Sequence, residues 1–415
     1  MSRYLASLFV VALFSGHLGP AWSQQYRFVH TNEGHVFASI NGGIASFRGI
    51  PYAMPSKKFD PKRQAPHAPA VRSEILAADH YSTCTCGAFA PENSEDTCLT
   101  ANVFVPSERS EGKLAVLVWI GGGSAPKLRD YEVSGLTQEG IILVTFDYRS
   151  SVSGLPEMCS AAQPCLDFAW WLGIPDQLAA LRWIRANIAE FGGDPDNVTI
   201  MGVGGESVAM LMLSEEASDL FNRAIINVTG PSAFGPIEDE TAIRCISSDN
   251  VAFTDERARS LDRRGPNVRS GGKQQEALGP PSQLILDIIG RFAAGQERAL
   301  SLMVQERHLG IPAADDGNKA RPDSVAPQDL VLELPSILGT LHSRRGGMTF
   351  RYFLPDDERA DGAQTEAGIA AIFAQSRRGL LANEQGRPSE LVSKYLSNFV
   401  RSGNPNRDSL PYSPP

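Results

Sequence analysis

The sequence contains no cluster of basic residues and, beyond its first residues, no long apolar segment. Its 415 residues include 38 Lys and Arg against 47 Asp and Glu, a formal net charge of −9. An acidic chain without a Lys/Arg-rich run is poorly suited to bind nucleic acid, so we expect no such partner. Because a membrane-spanning helix needs about 20 apolar residues, we also expect no membrane span.

Internal repeats, a P-loop and a dinucleotide-binding glycine pattern are also missing. Gly202, Gly204 and Gly205 lack the spacing and the later acidic partner of a dinucleotide site. Cys84 and Cys86 are too closely spaced, and too poor in nearby histidine, for a zinc site. We therefore expect neither a metal nor a cofactor.

The first 23 residues have the pattern of a secretory signal peptide. Arg3 is followed by the apolar run Leu5–Phe14 and then by small residues near Ser23. A charged start, a short apolar core and small residues before a cleavage point are typical of such a signal. We expect a secreted, extracellular protein; a buried N-terminal helix is the alternative.

Secretion would place the cysteines in an oxidising compartment, where disulfides are the default. The six cysteines are Cys84, Cys86, Cys98, Cys159, Cys165 and Cys245. Six cysteines allow 15 pairings, and the sequence does not choose among them. Two sequons, at Asn197 and Asn227, would carry glycans if exposed, but both adjoin apolar runs, so burial is the alternative.

Short apolar runs alternate with a helical pattern along the first half of the chain. Leu114–Ile120, Gly140–Asp147 and Val198–Val203 are almost wholly apolar, as in strands buried on both faces. Pro175–Phe191, between the last two runs, has apolar residues at helical spacing. The pattern predicts one α/β domain over residues 24–415 with a parallel sheet. The polar stretch 247–283 is expected to be a surface excursion or partly disordered.

Several groups of residues follow one another in an order that matches a known family. They are Phe47–Ala53, Ser94–Leu99, Val118–Gly123, Asp147–Arg149 and the long segment Asp176–Ile200. These segments resemble the type-B carboxylesterase/lipase family, the α/β-hydrolases that include cholinesterases. The resemblance implies an α/β-hydrolase fold, with a mostly parallel central sheet and helices on both faces. It also implies descent from carboxylic-ester hydrolases that work through a serine acyl-enzyme.

The nucleophile position departs from that family. The catalytic serine of this fold lies on a tight turn between a strand and a helix. Gap-free alignment puts Gly204 in its place, and glycine has no side chain with which to attack. Ser207 is the nearest replacement. Three residues further on, it is expected to lie on the face of a helix, turned away from the sheet edge.

The resemblance assigns the other two triad positions to Arg345 and Gln364. Leu334–Thr340 resembles the strand that leads to the family's acidic residue, so that Arg344 or Arg345 takes the place of the acid. Gln364 stands where the histidine is expected, and glutamine cannot take a proton from serine near neutral pH. The resemblance therefore implies a family member without an intact triad.

The C-terminal half also looks shortened. Only 364 − 345 = 19 positions separate Arg345 from Gln364, where the family has several helices. Either the helices have been lost or the gene prediction skips coding sequence. The histidines after residue 204 are His308 and His342, and we expect His342 to be a partly exposed loop residue.

The glycines of the oxyanion loop remain. Gly122 and Gly123 could direct backbone N–H groups at a developing oxyanion, with the Gly205 N–H as a third donor. A glycine loop after a strand also serves as a simple tight turn, and the two interpretations are equally good.

Two readings of function remain from the sequence. One is a weak or inactive relative that keeps the scaffold to bind a small ester or carbonyl ligand, or a protein partner in adhesion. The other is an active ester hydrolase, either using Ser207 with an unorthodox base or obscured by a mispredicted gene. Neither requires a cofactor.

Overall fold

The computed structural model describes residues 25–54, 69, 71–78, 99–108, 112–121, 134–148, 173–203, 205–227, 288–298, 300–306, 327–353 and 387–406. The predicted signal peptide, all six cysteines and the polar stretch 247–283 lie outside these residues.

A single large sheet runs through the described residues. Its strands are β1 (Gln25–Thr31), β2 (Gly34–Asn41), β3 (Ile44–Pro51), β4 (Leu76–Ala77), β5 (Thr100–Pro106), β6 (Leu114–Ile120), β7 (Ile142–Phe146), β8 (Gly193–Val203), β9 (Arg223–Asn227), β10 (Ser301–Glu306) and β11 (Thr349–Phe353). The spatial order is β1-β2-β3-β5-β7-β6-β8-β9-β10-β11, and β4 pairs with β2. Strands β1, β2, β3, β5 and β7 pair antiparallel, whereas every pair from β7 to β11 is parallel.

Within the residues that the structure describes, six α-helices accompany the sheet. They are α1 (Ser134–Gln138), α2 (Ile174–Asn187), α3 (Gly205–Met212), α4 (288–293), α5 (Pro327–Arg344) and α6 (Arg387–Ser402). Helices α2 to α5 contribute to the core on one face of the sheet, and α1 and α6 contribute to the core on the other. The expected fold, a mostly parallel sheet with helices on both faces, is confirmed.

The central strands are apolar on both sides because both sides are covered. In β6, Val116 and Val118 pack into the core with α2 and α3, whereas Leu117 and Trp119 pack with α1 and α6. All four are at most 2% exposed. This burial explains why apolar runs in the sequence predicted β6, β7 and β8.

One predicted strand is wrong. Leu334–Thr340 belongs to helix α5 and not to a strand. The buried residues Leu334, Leu338 and Leu341 are spaced four and three apart, which is the period of a helix and not the alternation of a strand. Helix α5 therefore connects β10 to β11, which pair in parallel.

The C-terminal segment forms a helix that ends in a glycine turn. Helix α6 ends at Ser402, and Gly403 follows with φ 76°, a left-handed conformation that glycine adopts freely. Arg223, at the start of β9, donates to the Val400 carbonyl at 3.0 Å and so joins the end of α6 to the sheet.

Candidate functional site

The parallel strands of this sheet end at one edge, which is where open α/β sheets bind their ligands. The last residues of these strands are Ile120, Phe146, Val203, Asn227, Glu306 and Phe353. The chain turns at this edge from β8 into α3, so that Gly205, Glu206 and Ser207 form the first turn of that helix. Position 204 lies between them, outside the described residues.

Ser207 lies within helix α3, as the sequence predicted. It is 8% exposed, and its Oγ accepts a hydrogen bond from Gln177 Nε2 of α2 at 3.1 Å. The Tyr148 hydroxyl, two residues beyond the end of β7, is also hydrogen-bonded to Ser207. The serine hydroxyl is thus held between two neighbouring side chains in a buried position.

Glu206 is a buried acid next to this serine. It is 5% exposed, and burial raises the pKa of its carboxyl to about 7, although its own backbone N–H partly opposes the rise. Its Oε1 has no hydrogen-bond partner among the residues the structure describes. A carboxyl with a pKa near 7 can exchange a proton under physiological conditions.

Tyr148 is a neutral hydroxyl at this edge. Burial raises the pKa of Tyr148 well above its ordinary value; the bond from Ser207 lowers it, and the nearby Glu206 and Asp147 carboxylates raise it further. Tyr148 can therefore donate a hydrogen bond but does not act as a base near neutral pH.

Gly205 allows α3 to lie against the neighbouring strand. A Cβ at this position would come closer to Ile226 Cγ2 of β9 than van der Waals contact permits. As the first residue of the helix, Gly205 has an N–H that no helical carbonyl accepts, which suits the predicted role of oxyanion donor. The other two predicted donors, Gly122 and Gly123, lie outside the described residues, as does Gln364.

Arg345 does not lie at the acid position of the triad, where the resemblance places it. Arg345 lies in the turn between α5 and β11, where its Nη2 donates to the Ala293 carbonyl. That turn leads into the beginning of β11, so Arg345 lies at the edge opposite to Ser207 and does not take the place of the acid. At the carboxyl edge the residue that ends β10 is Glu306, in register with Phe353 of β11.

Glu306 fits the position of the acid better on three counts. It lies two strands from β8 at the carboxyl edge, it precedes Gln364 in the chain, and it is acidic. The interval from Glu306 to Gln364 is 364 − 306 = 58 positions and contains helix α5. The alignment missed this residue because it took part of α5 for the strand that β10 forms.

His342 is not the partly exposed loop residue that was expected. It lies in α5 and is 1% exposed, with Nε2 2.8 Å from the Leu300 carbonyl and Nδ1 3.6 Å from Glu297 Oε1. Leu300 directly precedes β10, so His342 lies at the amino edge of the sheet. It cannot serve as the base for a group at the other edge.

The two sequon asparagines are engaged in the fold. Asn227 is 3% exposed, and its Oδ1 accepts a hydrogen bond from the Tyr352 hydroxyl. Asn197 donates from Nδ2 to the Arg401 carbonyl at 3.1 Å and accepts from Arg223. Glycosylation of Asn227 was predicted only if its side chain is exposed, and the side chain is buried. At Asn197, the amide nitrogen that would carry a glycan is hydrogen-bonded to the Arg401 carbonyl.

Sequence reasoning missed three members of the site. Tyr148, Gln177 and Glu206 all belong to the segments that carry the family resemblance or adjoin them, which was the available signal.

Within the described part of the chain, no three His, Cys, Asp or Glu side chains form a group that could hold a metal ion. None of the described helices is long and apolar enough to cross a membrane.

Comparison with known proteins agrees with this architecture. The profile of the Carboxylesterase family matches residues 26–244. Carboxylesterase 1C of Rattus norvegicus is 36% identical over 486 aligned residues, which cover 93% of this chain and 87% of that protein. The para-nitrobenzyl esterase of Bacillus subtilis is 38% identical over 220 residues, 48% of this chain and 43% of that one.

A solved structure shows the same fold. The carboxylesterase of Geobacillus stearothermophilus aligns with a TM-score of 0.64 and 22% identity over 94% of this chain and 93% of the other. The match to the Bacillus subtilis relative spans less than half of that protein, so its activity is not transferred by this similarity.

Proposed function

Because this chain belongs to the carboxylesterase family, we propose that it binds a small ester or carbonyl ligand at the carboxyl edge of its sheet without forming a serine acyl-enzyme. The observation that carries the proposal is the state of Ser207. Its hydroxyl is buried within α3 and hydrogen-bonded to Gln177 and Tyr148. An attacking serine must instead stand on the turn before the helix, and glycine takes that place.

The base of the acyl-enzyme route is missing as well. Gln364 stands at the position that the family resemblance gives to histidine, and His342 lies at the opposite edge of the sheet. Without a group that accepts the serine proton, the hydroxyl stays a weak nucleophile.

Backbone N–H groups suited to a carbonyl oxygen support the proposal. The Gly205 N–H begins α3, and the preceding glycine loop starts where β6 ends, next to β8. Backbone donors at a helix start attract partial negative charge on a carbonyl oxygen. The predicted signal peptide leads us to propose that the protein acts outside the cell. There it would bind a ligand or a protein partner, and neither role requires catalysis.

Glu206 favours a second candidate function, residual ester hydrolysis. Burial raises the pKa of its carboxyl to about 7, and it adjoins Ser207 in the chain. Because adjacent residues of a helix do not face each other, this alternative also requires the two side chains to turn toward one another before Glu206 can take the serine proton.

A fluorophosphonate probe separates the two. The purified secreted protein is incubated with the probe and its intact mass is measured, with Ser207→Ala as the matched control. We expect no added mass in either protein. Added mass in the wild type that is absent from Ser207→Ala would establish the hydrolase alternative. Added mass in both proteins would show that another residue is an activated nucleophile, and this would overturn the proposal.

Ligand binding is tested separately. Saturation-transfer NMR with butyl acetate is expected to show binding to the folded protein, and 4-nitrophenyl butyrate is expected to release nitrophenol no faster than with heat-unfolded protein. Absence of binding to folded protein would refute the ligand-binding role.

A further inference from the structure

Two exposed histidines face each other on the N-terminal hairpin. His30 of β1 pairs directly with His35 of β2, and their rings stack with centroids 4.4 Å apart and planes inclined by 17°. Both side chains are exposed, and neither belongs to the site at the carboxyl edge.

The hairpin geometry fixes this pairing. Strands β1 and β2 are joined by the two-residue loop 32–33, and Thr31 pairs with Gly34 on either side of it. Gly34 has φ 124°, a conformation that favours glycine. In an antiparallel ladder hydrogen-bonded and non-hydrogen-bonded pairs alternate. Since the pair that closes a two-residue loop is hydrogen-bonded, His30 and His35 form a non-hydrogen-bonded pair, whose side chains approach most closely.

We propose that His30 and His35 form a bidentate site for a divalent first-row transition-metal cation. Imidazole nitrogen is a preferred ligand of Cu²⁺, Ni²⁺ and Zn²⁺. Metal–nitrogen distances of about 2.0–2.1 Å require the two nitrogens to be roughly 3 Å apart. Rotation about the Cβ–Cγ bonds turns a nitrogen of each stacked ring toward a shared ion and leaves the backbone unchanged.

The surroundings leave the site open to water. The next pair on the same face, Phe28 and Phe37, is a stacked aromatic pair that offers no ligand atoms. Glu33, in the loop, accepts instead from Trp183 Nε1 at 2.9 Å. No third Cys, His, Asp or Glu completes a cluster within the described residues. The cation would therefore keep water at its other positions, and among the three metals Cu²⁺ should bind most tightly.

The inference is independent of the proposed function and is tested with metal alone. Untagged full-length protein is titrated calorimetrically with Cu²⁺ and with Ni²⁺, alongside His30→Asn, His35→Asn and the control His67→Asn. Removal of a residue that hydrogen-bonds to a metal ligand weakens metal affinity about 10–100-fold. Removal of His30 or His35, which would be ligands themselves, should therefore weaken the affinity for Cu²⁺ and Ni²⁺ at least about tenfold. His67→Asn should leave the affinity unchanged.

Electron paramagnetic resonance of the Cu²⁺ complex supplies a second readout. Superhyperfine coupling to two nitrogens is expected in the wild type and to at most one in each variant of the pair. Thermal unfolding without metal should be the same in the wild type and in the two variants of the pair, since the side chains of His30 and His35 are exposed. If either pair variant keeps the wild-type affinity, or if His67→Asn reduces it as strongly, the proposal is wrong.

Discussion

Replacing Glu206 by glutamine should change how the stability of this protein depends on pH. Burial raises the pKa of Glu206 from its ordinary value of 4.5 to about 7, so the folded protein favours the neutral acid. At about 1.4 kcal/mol per pH unit, this difference corresponds to about 3 kcal/mol. The side chain is 5% exposed, so solvent screens little of it.

The direction follows from proton binding. Between pH 4.5 and 7 the folded state holds a proton at Glu206 that the unfolded state has released. The free energy of unfolding therefore falls as the pH rises through this window, and the contribution of Glu206 is fully present below pH 4.5 and lost above about pH 7. Glutamine keeps the shape of the neutral acid and cannot ionise. Glu206→Gln should thus match the wild type near pH 4.5 and exceed its stability by up to about 3 kcal/mol at pH 8.

Urea unfolding measured from pH 4.5 to pH 8 tests this, because the free energy of unfolding extrapolates linearly with denaturant. Comparing the two proteins at each pH cancels the titration of all other carboxyl groups. Glu190→Gln, at an exposed position, serves as the control and should differ from the wild type by a constant amount. A constant difference for Glu206→Gln as well, or one that favours the wild type at high pH, would refute the reasoning.

Four further substitutions, tested in three experiments, have expected outcomes. Gly205→Ala should lower the free energy of unfolding by about 1–3 kcal/mol in urea, since the added methyl overpacks β9; no loss would show that α3 shifts freely. Tyr352→Phe removes the hydroxyl bonded to buried Asn227 and should cost about 1–3 kcal/mol in the same assay; a neutral result would mean that water replaces it. Gly204→Ser should gain little esterase activity alone, whereas adding Gln364→His should raise the hydrolysis of 4-nitrophenyl butyrate about 10²–10⁴-fold over that single variant; an equal rate would show that the base does not reach residue 204.

Strands β6, β7 and β8 and helix α2 were predictable because their burial leaves a direct mark in the sequence. Strands covered on both faces are apolar without interruption, and a helix covered on one side repeats its apolar residues with its turn. The helical position of Ser207 was predictable for a similar reason, since the family segment that ends at Ile200 fixes the register of α3. These features depend on residues close together in the chain.

The polar part of the site depends on packing between distant elements, and apart from the family resemblance of the segments involved no local pattern in the sequence indicates it. The raised pKa of Glu206 and the hydrogen bonds that join Ser207 to Gln177 and to Tyr148 exist only because α2 and the end of β7 cover α3. Similarly, His342 is polar and was expected at the surface, yet it fills a space beside Leu300 and Glu297. No local pattern distinguishes such a buried histidine from an exposed one.

The assignment of the acid position shows how topology corrects an assignment made by alignment. In a parallel sheet every strand begins at one edge and ends at the other, so a residue before β11 and a residue after β10 lie on opposite sides of the molecule. Arg345 is of the first kind and Glu306 of the second. Only the second can lie with Gly205 and Ser207, at the ends of the strands. The chain therefore carries an acidic residue at the edge where its parallel strands end, and the departures from the family that remain predictions from the sequence are those at Gly204 and Gln364.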